Sequence, residues 1–273
     1  MARYQVIIAY DGTHFRGFQR QATGRTVQGS IESALRKLGW QSKSILAAGR
    51  TDAGVHASGQ VIAFDLVWEH SDQALKQALN AHLPFDVVAR LVKQVQPAFH
   101  PRNDAIARRY RYALFTQAER DPLRERYAWR IWPAANLDRL HQTAACLIGK
   151  HDFAAFGTPP RIGDDTVRQI MGATWKVEEA YWVFEVSADA FLYHMVRRLV
   201  SLQIAIAQGQ KPFDLLSQSL HQPTTPAGMV QGLAPPQGLV LAEVIYPSQD
   251  VFFRATPGEL KFGENDCAKN LLP

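Results

Sequence analysis

The first hundred residues contain apolar positions with the period of a strand in some stretches and the period of a helix in others. The predicted strands are 3–10, 45–48, 60–65 and 87–95. One predicted helix carries its apolar stripe at Val27, Ile31, Leu35 and Leu38, and a second is capped by Ser71 and ends before Pro84. The resulting order is βαββαβ, the split-βαβ unit.

The second half repeats this order. Strands are predicted at 106–116, 167–177, 181–188 and 239–246, and helices at 137–148, 191–208 and 213–220, the first of them capped by Asn136. We therefore predict an α+β fold of two tandem ferredoxin-like (βαββαβ) units, whose antiparallel sheets join and leave a central cleft. The N-terminal unit spans 1–104, the C-terminal unit spans 105–247, and 248–273 form a tail.

A polar loop, residues 47–60, lies between two apolar stretches of the first unit. Glycines at 49, 54 and 59 allow a sharp bend, and the bend contains Arg50, Asp52 and His56. A loop that only turns the chain seldom needs so many polar side chains. The composition of the loop therefore predicts a functional site.

The predicted helix at 191–208 is apolar on most of its circumference, which indicates burial. Arg197 and Arg198 lie in its middle, and a buried guanidinium requires a carboxylate partner. Asp52 is a candidate partner if the two halves face each other. The alternative is that both arginines extend to solvent along an exposed edge, and periodicity does not choose between the two.

The strand at 106–116 contains arginines and tyrosines in alternation. It places Arg108, Tyr110 and Tyr112 on one face and Arg109 and Arg111 on the other. Aromatic rings can stack on bases while guanidinium groups hold phosphates, so this pattern suits a nucleic acid. The alternative is structural, because tyrosine favours strands and arginines commonly form salt-bridged surfaces.

Composition narrows the class of protein without deciding it. The 273 residues carry a net charge of +5, which fits an RNA partner and many small-molecule enzymes alike. Cys146 and Cys267 match no disulfide or metal spacing, and His56 and His194 lack ligand-type neighbours, so we expect no metal and interpret both histidines as structural hydrogen-bonding groups. Without a signal peptide or a membrane-length apolar run, we expect a cytoplasmic protein with no membrane partner.

Motifs spread over about residues 3 to 246 resemble the TruA-type tRNA pseudouridine synthases. Residues 49–61 (GRTDAGVHASGQV) resemble that family's signature loop. Residues 10–13 (YDGT), with Gly17, Gln19, Gln21 and 27–28 (VQ), are similar to its N-terminal motif. Residues 107–112 (ARRYRY), 191–197 (FLYHMVR) and 238–241 (GLVL) match its other marks.

This resemblance implies an isomerase that converts uridine to pseudouridine in the anticodon arm of tRNA, at tRNA positions 38, 39 and 40, and that works as a homodimer. It implies no cofactor, because the reaction exchanges an N–C for a C–C glycosidic bond without net oxidation. The roles it implies are Asp52 as the nucleophile, Arg197 as its ion-pair partner, Arg50 in place of the flipped-out base, Tyr110 stacked on the uracil, and His56, Arg108 and Leu192 in substrate binding.

Several alternatives stay open at the level of the residues. Asp52 can attack ribose C1′ or pyrimidine C6, or assist loss of a ribose proton, and either Tyr110 or Asp52 can remove the C5 proton. One other function is an RNA-binding module without catalysis, although an acid in a phosphate-binding groove weakens affinity. Another is a small-molecule enzyme that uses Asp52 and His56 as an acid–base pair, which leaves the Arg-Tyr strand unexplained.

Overall fold

The computed structural model of the chain describes residues 1–159, 163–221 and 230–247, which form a mixed α+β fold on one large, mainly antiparallel sheet. Within these residues the strands are β1 (Ala2–Tyr10), β2 (Leu46–Ala47), β3 (His56–Leu66), β4 (Val87–Val95), β5 (Ala107–Thr116), β6 (Trp129–Ile131), β7 (Gly149–Asp152), β8 (Val167–Glu178), β9 (Tyr181–Ala188) and β10 (Leu239–Ile245). The helices are α1 (Val27–Lys37), α2 (Asp72–His82), α3 (Leu137–Ala145), α4 (Met195–Ala207) and α5 (Asp214–His221). The predicted tail, 248–273, lies outside the described residues.

The two halves of the chain share this sheet, in the order β4-β1-β3-β10-β5-β9-β8-β7. β2 is two residues long and pairs with one end of β3, which leaves the other end for β10, parallel to β3 at His56 and Ala57. The junction requires a glycine, since a Cβ on Gly59 would lie 2.2 Å from the Ala242 carbonyl oxygen. The last glycine of the polar loop therefore allows the two halves to join.

Local signals explain many of the element boundaries. β4 and β9 have the predicted bounds. The side chains of Ser71 and Asn136 cap α2 and α3 by accepting hydrogen bonds from the backbone N–H of Ala74 (3.2 Å) and of Arg139 (2.9 Å). Each cap satisfies a backbone donor that the first turn of a helix leaves without a partner, so the predicted starts of these helices are confirmed.

Other boundaries differ from the prediction. α4 begins at Met195 rather than at 191, because His194 has a left-handed backbone (φ 65°, ψ 0°) that an α-helix does not continue through. α3 ends at Ala145 rather than at 148, shortly before Gly149 at φ 116°. β3 begins at His56 rather than at 60, since pairing with β1 and β10 extends it into the polar loop. β6 and β7 are too short to carry a periodic pattern, and the sequence predicts neither.

Helix α4 lies at the apolar centre of the second half, and ten of its thirteen residues are buried, as its apolar circumference predicts. The Gln203 side-chain oxygen accepts hydrogen bonds from Trp175 Nε1 (2.9 Å) and from Thr143 Oγ1 on α3 (3.3 Å). These buried contacts fix the register of α4 against its surroundings, and so the position of its first turn. No helix among the described residues is long and apolar enough to cross a membrane.

Candidate functional site

A cleft of about 1340 Å³ opens where the two halves meet. The polar loop lines it from the first half, and β5 and the start of α4 line it from the second. Six of the seven predicted site residues contribute to the lining: Arg50, Asp52, Arg108, Tyr110, Leu192 and Arg197. The seventh, His56, does not.

The part of the loop around Asp52 has a fixed backbone shape. The Phe18 N–H, from the connection between β1 and α1, donates to the Thr51 carbonyl (3.0 Å). Gly54 adopts a φ of 77°, and the Val55 N–H closes a turn onto the Asp52 carbonyl (3.2 Å). Because the backbone is bonded on both sides of Asp52, its carboxylate extends from a well-defined turn.

Asp52 and Arg197 form an ion pair inside the cleft. Arg197 Nη1 lies 3.1 Å from Asp52 Oδ2, and the two side chains are only 10% and 16% exposed. Arg197 Nε also donates to the Ala234 carbonyl (2.7 Å), which orients the guanidinium plane. Arg198 is half-buried and donates instead to the Phe156 carbonyl (3.3 Å). The structure thus brings one of the two candidate arginines and the loop carboxylate together.

His194 contacts the same carboxylate, with Nε2 3.4 Å from Asp52 Oδ2. Its ring stacks on that of Tyr193, with 3.7 Å between centroids. Burial lowers the pKa of the His194 imidazole; Asp52 raises it, and Arg197 and Arg198 lower it. We interpreted His194 as a structural residue from the sequence. Its spacing of three from Arg197 was a usable signal, because residues three apart near a helical turn can reach the same partner.

Tyr110 presents a buried aromatic ring to the cleft. It packs edge-to-face against Phe191, with 5.0 Å between centroids and an interplanar angle of 83°. Burial raises the pKa of the Tyr110 phenol, and the nearby Tyr10 and Asp52 raise it further. The phenol therefore stays protonated at neutral pH. We assigned no role to Phe191, the ring that supports it, from the sequence.

Arg108 supplies the cleft with a cation that has no carboxylate partner in the described part of the chain. Its guanidinium donates to four backbone carbonyls: Asp189 (2.7 Å), Arg102 (2.6 Å), Ala48 (3.2 Å) and Ala105 (3.3 Å). Burial lowers the pKa of this group. Carbonyls fix its position without neutralising its charge, so the group suits a bound anion such as phosphate.

Arg50 and Leu192 line the cleft in different ways. The Arg50 side chain is exposed and forms no hydrogen bond or ion pair with the residues that the structure describes. Leu192 is buried and packs closely on Gly157, where an added Cβ would lie 2.6 Å from Leu192 Cβ. Leu192 is therefore a fixed contact surface, whereas Arg50 is free to reorient.

His56 lies outside the cleft lining, in a cluster that joins the first half to the β5–β6 connection. Its Nδ1 accepts a hydrogen bond from the Gly12 N–H (2.9 Å) and lies 3.1 Å from Asp11 Oδ1. The Tyr127 ring packs on the imidazole, and its hydroxyl donates to Asp11 Oδ2 (2.9 Å). Burial lowers the pKa of His56. These contacts hold His56 between Asp11, Gly12 and Tyr127.

The arrangement in the cleft suits one kind of chemistry. A carboxylate oriented by a guanidinium, next to a buried ring and a fixed cation, can attack a planar substrate that carries an anionic backbone. The residues described contain no group of three or more His, Cys, Asp or Glu side chains able to hold a metal ion.

Proteins similar to this chain are known. A family model described as tRNA pseudouridine synthase matches residues 6–104 and 143–247. A tRNA pseudouridine synthase A from Geobacillus kaustophilus is 40% identical over 90% of this chain and 95% of its own. One from Lactiplantibacillus plantarum is 36% identical over 91% of this chain and 96% of its own. A solved Cbf5-Nop10-Gar1 complex aligns with 74% of this chain and 44% of that chain, at 10% identity and a TM-score of 0.34, too remote a likeness to support an argument.

Proposed function

The chain belongs to the tRNA pseudouridine synthase family and is a pseudouridine synthase, and we propose that it isomerises uridines in the anticodon stem-loop of tRNA with Asp52 as its nucleophile. The expected targets are tRNA positions 38, 39 and 40. Family membership decides against a non-catalytic RNA-binding module and against a small-molecule enzyme. The observation that supports the nucleophile is the Asp52 carboxylate, held by Arg197 within the cleft.

The two oxygens of Asp52 have different surroundings. Oδ2 faces Arg197 and His194, whereas Oδ1 accepts no hydrogen bond from the described residues. We therefore assign the attack to Oδ1. In the reaction the N1–C1′ bond of uridine breaks, the uracil rotates and a C5–C1′ bond forms, while C5 loses a proton and N1 gains one. This balance needs no cofactor, and attack at C1′ or C6 and assisted ribose deprotonation all stay open.

Tyr110 supports the target uracil in this proposal. Its ring is fixed against Phe191 at the cleft surface, as a stacking platform requires. The raised pKa of the phenol makes Tyr110 a poor proton acceptor. This favours Asp52 over Tyr110 as the base that removes the C5 proton.

The remaining cleft residues are suited to binding a target base that has rotated out of the stacked RNA helix. A uridine in a stem must rotate out of the helix before a side chain can reach it. Arg50 is two residues from Asp52, exposed and unpaired within the described residues. We therefore propose that its side chain fills the space in the RNA helix that the base leaves. Arg108 would hold a phosphate, and Leu192 would contact the extruded nucleotide. For His56 we propose support of the loop in place of contact with RNA.

We also propose that residues 1–104 and 105–247 are two ferredoxin-like units. Supporting this, the first half has the strand order β4-β1-β3-β2 and the second has β10-β5-β9-β8, so the last strand of each half lies beside its first. Homodimerisation and a cytoplasmic location stay predictions.

The proposed nucleophile is tested by tritium release from tRNA that carries C5-labelled uridine. Asp52→Asn keeps the size of the side chain and removes its charge, so we expect tRNA binding to persist and release to fall by at least about 10³-fold. Asp65→Asn is the matched control, because Asp65 also pairs with an arginine, Arg3, at 2.7 Å, but lies outside the cleft lining. It should release tritium at the wild-type rate.

Two results would contradict the proposal. Undiminished release by Asp52→Asn would exclude the nucleophile role, and loss of tRNA binding by the folded variant would assign Asp52 to binding. Transfer RNAs that retain one uridine, at position 38, 39 or 40, test the site specificity. If none of these tRNAs releases tritium while the unaltered tRNA does, the modified uridine lies at another position.

A further inference from the structure

We propose that His194 is a positioning residue for the nucleophile: its left-handed backbone places the imidazole against Asp52 Oδ2, so that Oδ1 faces the substrate. The inference rests on the proposed function, in which Asp52 attacks the nucleotide. It concerns a residue that does not itself react.

The backbone at His194 is unusual for its place in the fold. The residues that precede α1, α2 and α3, namely Thr26, Ser71 and Asn136, are all extended, and each caps its helix with a side-chain oxygen. His194 precedes α4 with φ 65° and its side chain forms no cap. Glu179, the only other described non-glycine residue with positive φ, lies in the tight turn between β8 and β9, where hairpin geometry favours that conformation.

Strain of this kind persists when the surrounding structure needs the side chain in one direction. At His194 that direction is the cleft, where Nε2 lies 3.4 Å from Asp52 Oδ2. If the backbone at this position were extended, the side chain would point in a different direction. The strained conformation therefore serves the contact with Asp52, and helix capping does not account for it.

The contact restricts the carboxylate in a way that Arg197 alone does not. Arg197 Nη1 reaches Oδ2 from 3.1 Å and His194 Nε2 reaches the same atom from the preceding turn. Rotation of the carboxylate out of this orientation would break the Arg197 hydrogen bond and the His194 contact together. The charged and titratable groups around the imidazole are Asp52, Arg197, Arg198 and Tyr193. Burial, the largest effect, and both arginines lower the pKa of the His194 imidazole, whereas Asp52 raises it.

Three substitutions separate the side chain's role from the backbone's. Glycine accepts the left-handed conformation without strain, and asparagine tolerates it, but neither reaches Oδ2. Glutamine places an amide N–H close to the position of imidazole Nε2, but in a backbone that disfavours it. We expect His194→Gly and His194→Asn to keep or raise Tm while kcat falls between about 10- and 100-fold, with the KM for tRNA unchanged. His194→Gln should have the lowest Tm and the highest kcat of the three.

A merely structural role predicts the reverse, with kcat following Tm through the series, and that result would overturn the proposal. The control for relief of strain is Glu179→Gly, which should keep or raise Tm and leave kcat at the wild-type value. Asp52→Asn is assayed in parallel. If it is inactive while His194→Gly has wild-type kcat, the positioning role is wrong and the proposed function stands. If Asp52→Asn is active, the proposed function itself fails.

Discussion

Strand β5 presents arginines to both faces of the sheet, and the two faces use them differently. On the cleft face, Arg108 is held by backbone carbonyls alone among the described residues. On the opposite face, Arg109 pairs with Glu243 and Arg111 pairs with Glu178. Neighbouring arginines of β5 thus differ in whether a carboxylate already neutralises their charge. Whether an arginine in this sheet is neutralised depends on the groups that neighbouring strands supply.

The pairing register explains the difference. Arg109 lies opposite Glu243 on β10, so a carboxylate is within reach across the strand gap. Arg108 lies opposite Val244 on β10 and Ala188 on β9, and neither side chain can neutralise it. The apolar neighbours leave backbone carbonyls as its partners. The cleft face of β5 therefore keeps a cation without a carboxylate partner among the described residues, whereas Arg109 and Arg111 on the opposite face are paired.

Replacing Tyr110, on the cleft face of β5, should have the largest effect. Tyr110→Ala removes the ring next to Arg108, and we expect kcat/KM to fall by about 5- to 150-fold, since stacking of a base on an aromatic ring contributes about 1–3 kcal/mol. Tyr110→Phe keeps the ring and should stay within about threefold of wild type. Tritium release under single-turnover conditions measures both variants. A Tyr110→Phe variant as impaired as Tyr110→Ala would assign the function to the hydroxyl and return Tyr110 to the candidates for the C5 base.

The comparison of Arg108→Gln with Arg109→Gln should show a smaller effect, in binding. Loss of one phosphate contact at Arg108 should weaken tRNA binding by about tenfold and reduce the slope of log Kd against log salt by about one. Arg109→Gln should change neither quantity, because its charge is already paired. Filter binding over a series of salt concentrations measures both. Equal changes in the two variants would mean that RNA contacts both faces of β5.

The sequence predicts which residues of β5 share a face of the sheet. It does not predict the ion pairs of its arginines, because the partners are distant along the chain. Alternation along β5 correctly separates Arg108 from Arg109 and Arg111, because alternation is a local property of the backbone. The carboxylates that pair with these two arginines lie 134 and 67 residues away along the chain. Only the sheet topology brings these carboxylates within reach of the arginines, so no local pattern could show which arginines are neutralised.

The same distinction applies to the rest of the site. The apolar pattern around Arg197 leaves open whether the guanidinium is buried beside a carboxylate or extends to solvent, and the structure shows it buried beside Asp52, the candidate partner. The left-handed backbone of His194 has no signature in composition, and it shortens α4 by four residues relative to the prediction. The position of His56 depends on Tyr127, from a connection that carries no periodic pattern. Resemblance in the loop motif groups His56 with Asp52, whereas the structure separates the two.

The smallest effect is expected on the free energy of unfolding, from the ion pair on the face of β5 away from the cleft. The side chains of Arg109 and Glu243 are 37% and 28% exposed, so solvent screens their attraction. A double-mutant cycle with Arg109→Gln and Glu243→Gln, followed by urea unfolding, should give a coupling free energy of about 0.2–1 kcal/mol that declines in high salt. A coupling well above that range would place the pair among the main supports of the β5–β10 junction. The small expected value means instead that the carboxylates on this face chiefly neutralise arginines, which confines the available positive charge of β5 to the cleft.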